Sequence, residues 1–338
     1  MGKVLIIAEA GVNHNGNFDL AIAMIDEAKK SGADIVKFQT AIPELVMTSA
    51  APKAKYQARL TGAEESQLEM AKKIHLPLDA YKKLQTYCNS KKIEFLSTAF
   101  DLKSFDLLEK LKVRLHKIPS GDITNYPLLV KAAKTKKHVI LSTGMCCLSE
   151  IEEAIKVLLN NGMKRNDITL MHCTTEYPTP FEDVNLNAMN TLKKAFGVQV
   201  GYSDHTPGIE VPIAAVAMGA TVIEKHFTLD KNMIGPDHKA SLEPNELSAM
   251  VKAIRNIEKS MGNGLKIPGA AESKNIIVAR RSIHIASNLK KGYTLKESDL
   301  IMKRPGDGIS PMNIKKIIGR SLKTNLTIDH KLRWEDLK

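Results

Sequence analysis

The sequence predicts an α/β chain: a (β/α)8 TIM barrel followed by a small, β-rich C-terminal domain. Three observations lead there. Eight short runs rich in Val, Ile, Leu and Phe recur between residues 4 and 227. Segments with apolar residues every three to four positions lie between them, as in FDLAIAMIDEAKKSG and LSEIEEAIKVLLNNG, each closing on Gly. Past residue 262 that rhythm stops.

The runs are 4–10, 35–40, 94–100, 114–120, 138–144, 168–174, 198–204 and 221–227. Alternation of strand and helix implies parallel pairing through crossover helices. Eight such units in about 260 residues is the size of a closed barrel. A doubly wound open sheet is the weaker alternative, because no GxGxxG follows a strand. A long insertion, 41–76, follows the second strand, and connections of that length are usually functional. Residues 1–262 are therefore assigned to the barrel, 263–277 to a linker rich in Gly and small residues, and 278–338 to the small domain. A domain of about 60 residues is marginal alone and is expected to lean on something.

Composition narrows the class. No apolar run approaches the roughly 20 residues of a membrane span, and the apolar part of MGKVLIIAEAG is short for a secretory signal. Cys88, Cys146, Cys147 and Cys173 form no CxxC and read as reduced thiols, so a cytoplasmic location is expected. The formal charge is +12; residues 266–338 hold 16 Lys and Arg against 7 Asp and Glu, so +9 of it lies there. That is either a solvated face or a cation offered to an anionic ligand or partner. Nucleic acid is not expected, with aromatics at 5% and no binding motif.

Barrel active sites stand at the C-terminal ends of the strands. Those ends carry Glu9, then Lys37 and Gln39, then Ser97 and Thr98. Lys117, Ser120 and Asp122 follow, then Ser142 and Thr143, and then His172 through Tyr177. The last two strands bring Ser203, Asp204 and His205, and Glu224 and His226, with Asp237 in the loop beyond. Polar residues end most strands because loops are wet, so no single one is diagnostic. Lys37 and Lys117, however, sit inside apolar runs, where an unpaired charge is expensive. With the hydroxyls and glycine amides of PSGD and STG they would suit a phosphate and a carboxylate. His205 and His226, on neighbouring strands, either share a divalent metal with open positions or are hydrogen-bonded histidines in a polar mouth. The residues alone describe a barrel enzyme for a small anionic substrate.

The set of motifs resembles one family. EAGVNHNG, KFQT, KIPSGD, LSTGM, CTTEYPTP, GYSDHTPG, EKHFTLD, GPDH and KRPGDGIS look like those of bacterial sialic acid (N-acetylneuraminate) synthases, in order and over almost the whole chain. The resemblance implies a TIM barrel with an antifreeze-protein-like (SAF) domain. It also implies condensation of phosphoenolpyruvate with an N-acetylated amino sugar, with release of phosphate. A divalent metal, Mn2+ or Mg2+, would be held by His205 and His226. Glu9, Lys37, Lys117 and Asp122 would be catalytic. Gln39, Thr98, Ser120, Ser142, Tyr177, Ser203, Asp237 and Arg304 would bind substrate. A homodimer is implied, the small domain of one chain capping the barrel of the other and inserting Arg304. Many members have Glu where this chain has Asp122, one carbon shorter, which holds the carboxylate about 1.5 Å back. N-acetylneuraminate is the first expected product and N,N'-diacetyllegionaminate the sister alternative. A carbohydrate-binding protein without activity is a third reading, which the intact set of site residues opposes.

Overall fold

The computed structural model describes residues 2–62 and 64–338. The chain divides into two compact units, Met1–Gly262 and Asn263–Lys338. In the first, eight strands close a barrel in chain order. They are β1 (Leu5–Gly11), β2 (Ile35–Thr40), β3 (Glu94–Ala99), β4 (Leu115–Ile118), β5 (His138–Ser142), β6 (Ile168–His172), β7 (Gln199–Asp204) and β8 (Val222–His226). Every neighbouring pair is parallel, β8 with β1 included. The predicted run at 35–40 coincides with β2, that at 4–10 is shifted by one residue from β1, and the other six each overrun their strand by one to three residues in all, because the ends already bend into the loops.

Two-residue periodicity sorts each strand into an outer and an inner row. The outer row (Ile6, Ala8, Val36, Phe38, Leu141, Leu170) packs under the helices in the large core. The inner row begins with an apolar plug inside the barrel, built from Ile7, Ile35, Leu96, Leu115, Ile140, Met171 and Val222. Gly201 makes room for that plug: a Cβ there would lie 2.5 Å from Met171 Sδ and 2.6 Å from Val222 O. Two residues further along each strand, the inner row turns polar: Glu9, Lys37, Thr98, Lys117, Ser142 and Glu224. This switch positions the site.

Helices cover the outside. α1 (Phe18–Lys30) starts on Asn17, whose side chain accepts from the amides of Asp19 and Leu20. The long insertion is helical, carrying α2 (Pro43–Val46), α3 (Lys55–Thr61) and α4 (Gln67–Ile74). After it come α5 (Ala80–Lys91), α6 (Leu102–Lys110), α7 (Tyr126–Lys134), α8 (Leu148–Asn160), α9 (Ala188–Phe196), α10 (Glu210–Ala217) and α11 (Pro244–Ser260). Among the described residues no helix is long and apolar enough to cross a membrane.

The second unit has its own core, including Ile283, Ile285, Leu295, Ile317, Leu322 and Leu332. Its two-stranded antiparallel sheet pairs β9 (Ser282–Ile285) with β10 (Leu300–Lys303). Isolated bridges such as Leu289 with Leu326 extend the pairing. The stretch expected to be a plain linker contains two short helical turns, Ala270–Ser273 and Ile276–Ala279.

Candidate active site

A cavity of about 420 Å³ opens at the C-terminal ends of the strands. Its floor is the polar ring above the apolar plug. The Lys37 ammonium is 2.7 Å from Glu9 Oε2 and 3.4 Å from Glu224 Oε2, and it donates to Thr98 Oγ1 at 2.9 Å. Lys117 is 3.1 Å from Glu224 Oε1, which also accepts from Ser203 Oγ at 3.0 Å. Gln39 donates to Glu9 Oε1 at 3.4 Å. All of these except Gln39 are buried. The lysines inside apolar runs thus find carboxylates, as the cost of an unpaired buried charge requires.

The two carboxylates differ. Burial raises the Glu9 carboxyl to about 7 despite the pull of Lys37. Burial acts the same way on Glu224, but Lys117 and Lys37 outweigh it and hold that carboxyl well below the usual range. Burial opposes charge on Lys37 too, and Glu224 and Glu9 together push its pKa up. The ring therefore sets a carboxylate held in its charged form, Glu224, beside a carboxyl that burial pushes toward its neutral form, Glu9. The pairing separates an acid/base group from a fixed charge.

The imidazoles stand at the rim of this ring. Their centroids are 5.5 Å apart. His205 Nδ1 donates to Thr174 O at 2.6 Å; a carbonyl only accepts, so Nε2 carries the free lone pair. His226 Nδ1 is buried without a hydrogen-bond partner among the described residues, 3.8 Å from Asp237 Oδ2. Burial depresses the pKa of both rings, that of His205 to about 4, which keeps them in the neutral, ligating form. Gly11, at positive φ, passes under the pair: a Cβ there would sit 3.4 Å from both His226 Cε1 and Glu9 Oε1. An orphaned ring nitrogen and a neutral partner imidazole fit a divalent cation. Among the described residues no three His, Cys, Asp or Glu side chains form a complete ligand set, so substrate and water oxygens would fill the rest.

The remaining expected residues fall into three groups. Ser120, Ser142, Tyr177, Ser203 and Asp237 line the same cavity. Tyr177 stacks between Tyr56 (5.1 Å) and His205 (4.1 Å). Ser142 Oγ is buried with no partner among the described residues. Ser120 Oγ accepts from the Gly144 amide at 2.9 Å, and a side chain at Gly144 would lie 2.4 Å from Thr175 Oγ1. Burial raises the Asp237 carboxyl to about 6. Asp122 is not among the residues that line the cavity; its Oδ1 accepts from Asn125 at 2.9 Å in the turn after Ser120. Arg304 belongs to the second unit, exposed in the bend before Pro305. His172 supports the core, bonding Val184 O at 2.7 Å.

Sequence reading named Glu224 as a strand residue but gave it no role, although its place two residues before His226 puts it on the same inner row. The outer wall, formed by α2–α4, lies in the 41–76 insertion whose length marked it as functional, but neither its helices nor its cavity-facing residues were read from the sequence.

A closed barrel whose mouth gathers two lysines, two carboxyl groups and two imidazoles, all buried, has the make-up of an enzyme site. The family model described as NeuB family matches residues 24–266, and that of the SAF domain matches 280–338. The chain is 54% identical to the N,N'-diacetyllegionaminic acid synthase of Campylobacter jejuni, over 98% of this chain and 100% of that one. It is 46% identical to the N,N'-diacetyllegionaminic acid synthase of Legionella pneumophila, over 98% and 94%. Among solved structures it resembles the N-acetylneuraminic acid (sialic acid) synthetase of Leptospira borgpetersenii, with a TM-score of 0.71 and 37% identity over 81% of this chain and 90% of that one. The chain belongs to the NeuB family of sialic-acid-type synthases and ends in a SAF domain.

Proposed function

We propose that this chain condenses phosphoenolpyruvate with a 2,4-diacetamido-2,4,6-trideoxy hexose, giving N,N'-diacetyllegionaminate and phosphate. The 54% identity to the Campylobacter jejuni synthase, spanning both chains, carries the reading. It favours the sister alternative over N-acetylneuraminate, the first expectation from sequence.

In this reading Lys37 and Lys117 receive the phosphate and carboxylate of the enol phosphate, with Ser120, Ser142, Ser203 and Thr98 donating hydrogen bonds. Their present partner, Glu224, holds both lysine side chains aimed before the anion arrives. Gln39, Tyr177 and Asp237 hold the sugar. His205 and His226 would hold Mn2+ or Mg2+, which when bound supplies a Lewis acid for the sugar's aldehyde oxygen. C3 of the enol bonds to the aldehyde carbon, and the aldehyde oxygen takes a proton. Water then adds at C2 and gives up one proton, which balances the one taken by the aldehyde oxygen; the C–O bond to phosphate breaks as the C2 hydroxyl becomes a ketone, its proton leaving with the phosphate. Glu9, raised by burial to about 7, would hand over one of these protons. Asp122 steadies the Ser120 turn through Asn125. Arg304 of a second copy would reach the sugar's N-acetyl group in a homodimer.

The test is phosphate release and product mass with each sugar. Release with the diacetamido sugar and a much slower rate with N-acetylmannosamine is expected; the reverse order overturns the proposal.

A further inference from the structure

The inner end of the cavity is ringed by charged groups; along α4 its wall is mostly apolar, although His75 and Asp237 also line the cavity. α4 starts on a capping box: Ser66 Oγ accepts from the Glu69 amide, and Glu69 Oε2 accepts from the Ser66 amide. From that fixed start it presents Gln67, Met70, Ala71 and Ile74 to the cavity. These are positions i, i+3, i+4 and i+7 of one helical face. Val46 and Met47, at the end of α2, line the cavity beside them. Gln57 and Gln67 interrupt the apolar wall, joined amide to amide at 3.3 Å.

Resting on the proposed reaction, we infer that this wall reads the far end of the sugar, selecting an aldose that ends in a C6 methyl over one that ends in a hydroxymethyl. The reacting aldehyde must face the imidazoles and the lysine ring. The C4–C6 end of the chain then points outward, along α4. A methyl there meets Met70, Ala71, Ile74 and Val46. A hydroxyl loses water and gains no partner from them. An apolar pocket discriminates by about 10–200-fold for such a change, not more.

The experiment uses the full chain, phosphoenolpyruvate and Mn2+ with three sugars: N-acetylmannosamine, its 6-deoxy analogue and the 2,4-diacetamido-2,4,6-trideoxy sugar. The readout is the ratio of kcat/KM for the 6-deoxy analogue over N-acetylmannosamine. About tenfold or more is expected in the unmodified chain. Ile74→Thr should cut it severalfold by slowing the 6-deoxy sugars alone. Val46→Thr, isosteric and at an exposed position, should shift it the same way and serves if Ile74→Thr does not fold. A ratio near one in the unmodified chain, a ratio unmoved by both variants, or equal loss on all sugars overturns the inference. A preference for N-acetylmannosamine over the diacetamido sugar, with the 6-deoxy ratio intact, overturns the proposed substrate and leaves the wall's role standing.

Discussion

Ser142 shows what a single residue in this site is for. Its hydroxyl is buried in the cavity and bonds nothing among the described residues, so the folded protein gains little from it. Ser142→Ala should leave the unfolding free energy within about 0.5 kcal/mol. The same change should raise the KM for phosphoenolpyruvate by about 10-fold or more, the worth of one hydrogen bond to a charged ligand. Steady-state kinetics beside a urea melt checks both halves. Glu224→Gln acts in the opposite way. It strips Lys117 of its carboxylate at 3.1 Å and leaves Lys37, now 3.4 Å from Glu224, with Glu9 alone. Stability should fall by roughly 3 kcal/mol, read by urea denaturation. Most of this inner ring was legible in the sequence. Lys37 and Lys117 stood out because a lysine within an apolar run must find an anion. Which anion they find was not legible, since Glu9 and Glu224 lie 28 and 187 residues from Lys37 and are brought together by barrel closure.

At the scale of elements, two devices hold the histidine-bearing strands and the barrel seam. Lys225 and Asp204 form an ion pair at 2.5 Å with both side chains 0% exposed, on the outer row beside His226 and His205. Thr206 completes it, donating to Asp204 and accepting from Lys225 through its carbonyl. Lys225→Met leaves Asp204 buried and unpaired and should destabilise by about 3–5 kcal/mol; Lys225→Met with Asp204→Leu should recover part of that in a denaturation series. The seam is tied by Asp34. Its carboxylate accepts from the Ile6 amide at 2.9 Å and from Arg255 of α11 at 2.6 Å, with Lys3 close by. Burial opposes that charge, but Lys3, the Ile6 amide and Arg255 outweigh it and depress the Asp34 pKa. A depressed carboxyl adds stability above the ordinary pKa near 4, and that increment is lost as pH falls through the folded value. Asp34→Asn should thus cost about 1–3 kcal/mol at pH 7 and almost nothing near pH 2, in chemical melts at the two pH values. Strands and helices were legible from their two periods. The helical face of α4 was not, because the i, i+3, i+4, i+7 spacing of Gln67, Met70, Ala71 and Ile74 does not distinguish a face packed on a core from one that lines a cavity.

At the scale of the whole molecule, the two units carry different work. The barrel unit holds every cavity-lining residue described above, and the second unit carries most of the excess positive charge and Arg304. If Arg304 serves a second copy, Lys117→Ala and Arg304→Ala are each inactive alone. Mixed and allowed to exchange, they should regain about a quarter of full activity, because half the dimers are mixed and each has one intact site. No recovery, with exchange shown by native mass spectrometry, would count against a shared site. The account as a whole rests on two neutral imidazoles at one barrel mouth sharing one cation. The most direct measurement is a Mn2+ titration of the metal-stripped full chain, followed by the electron paramagnetic resonance of free Mn2+. One equivalent per chain should bind, and binding should vanish in His205→Ala and in His226→Ala while both variants melt like the parent. Full-strength binding that survives the loss of both rings would contradict it.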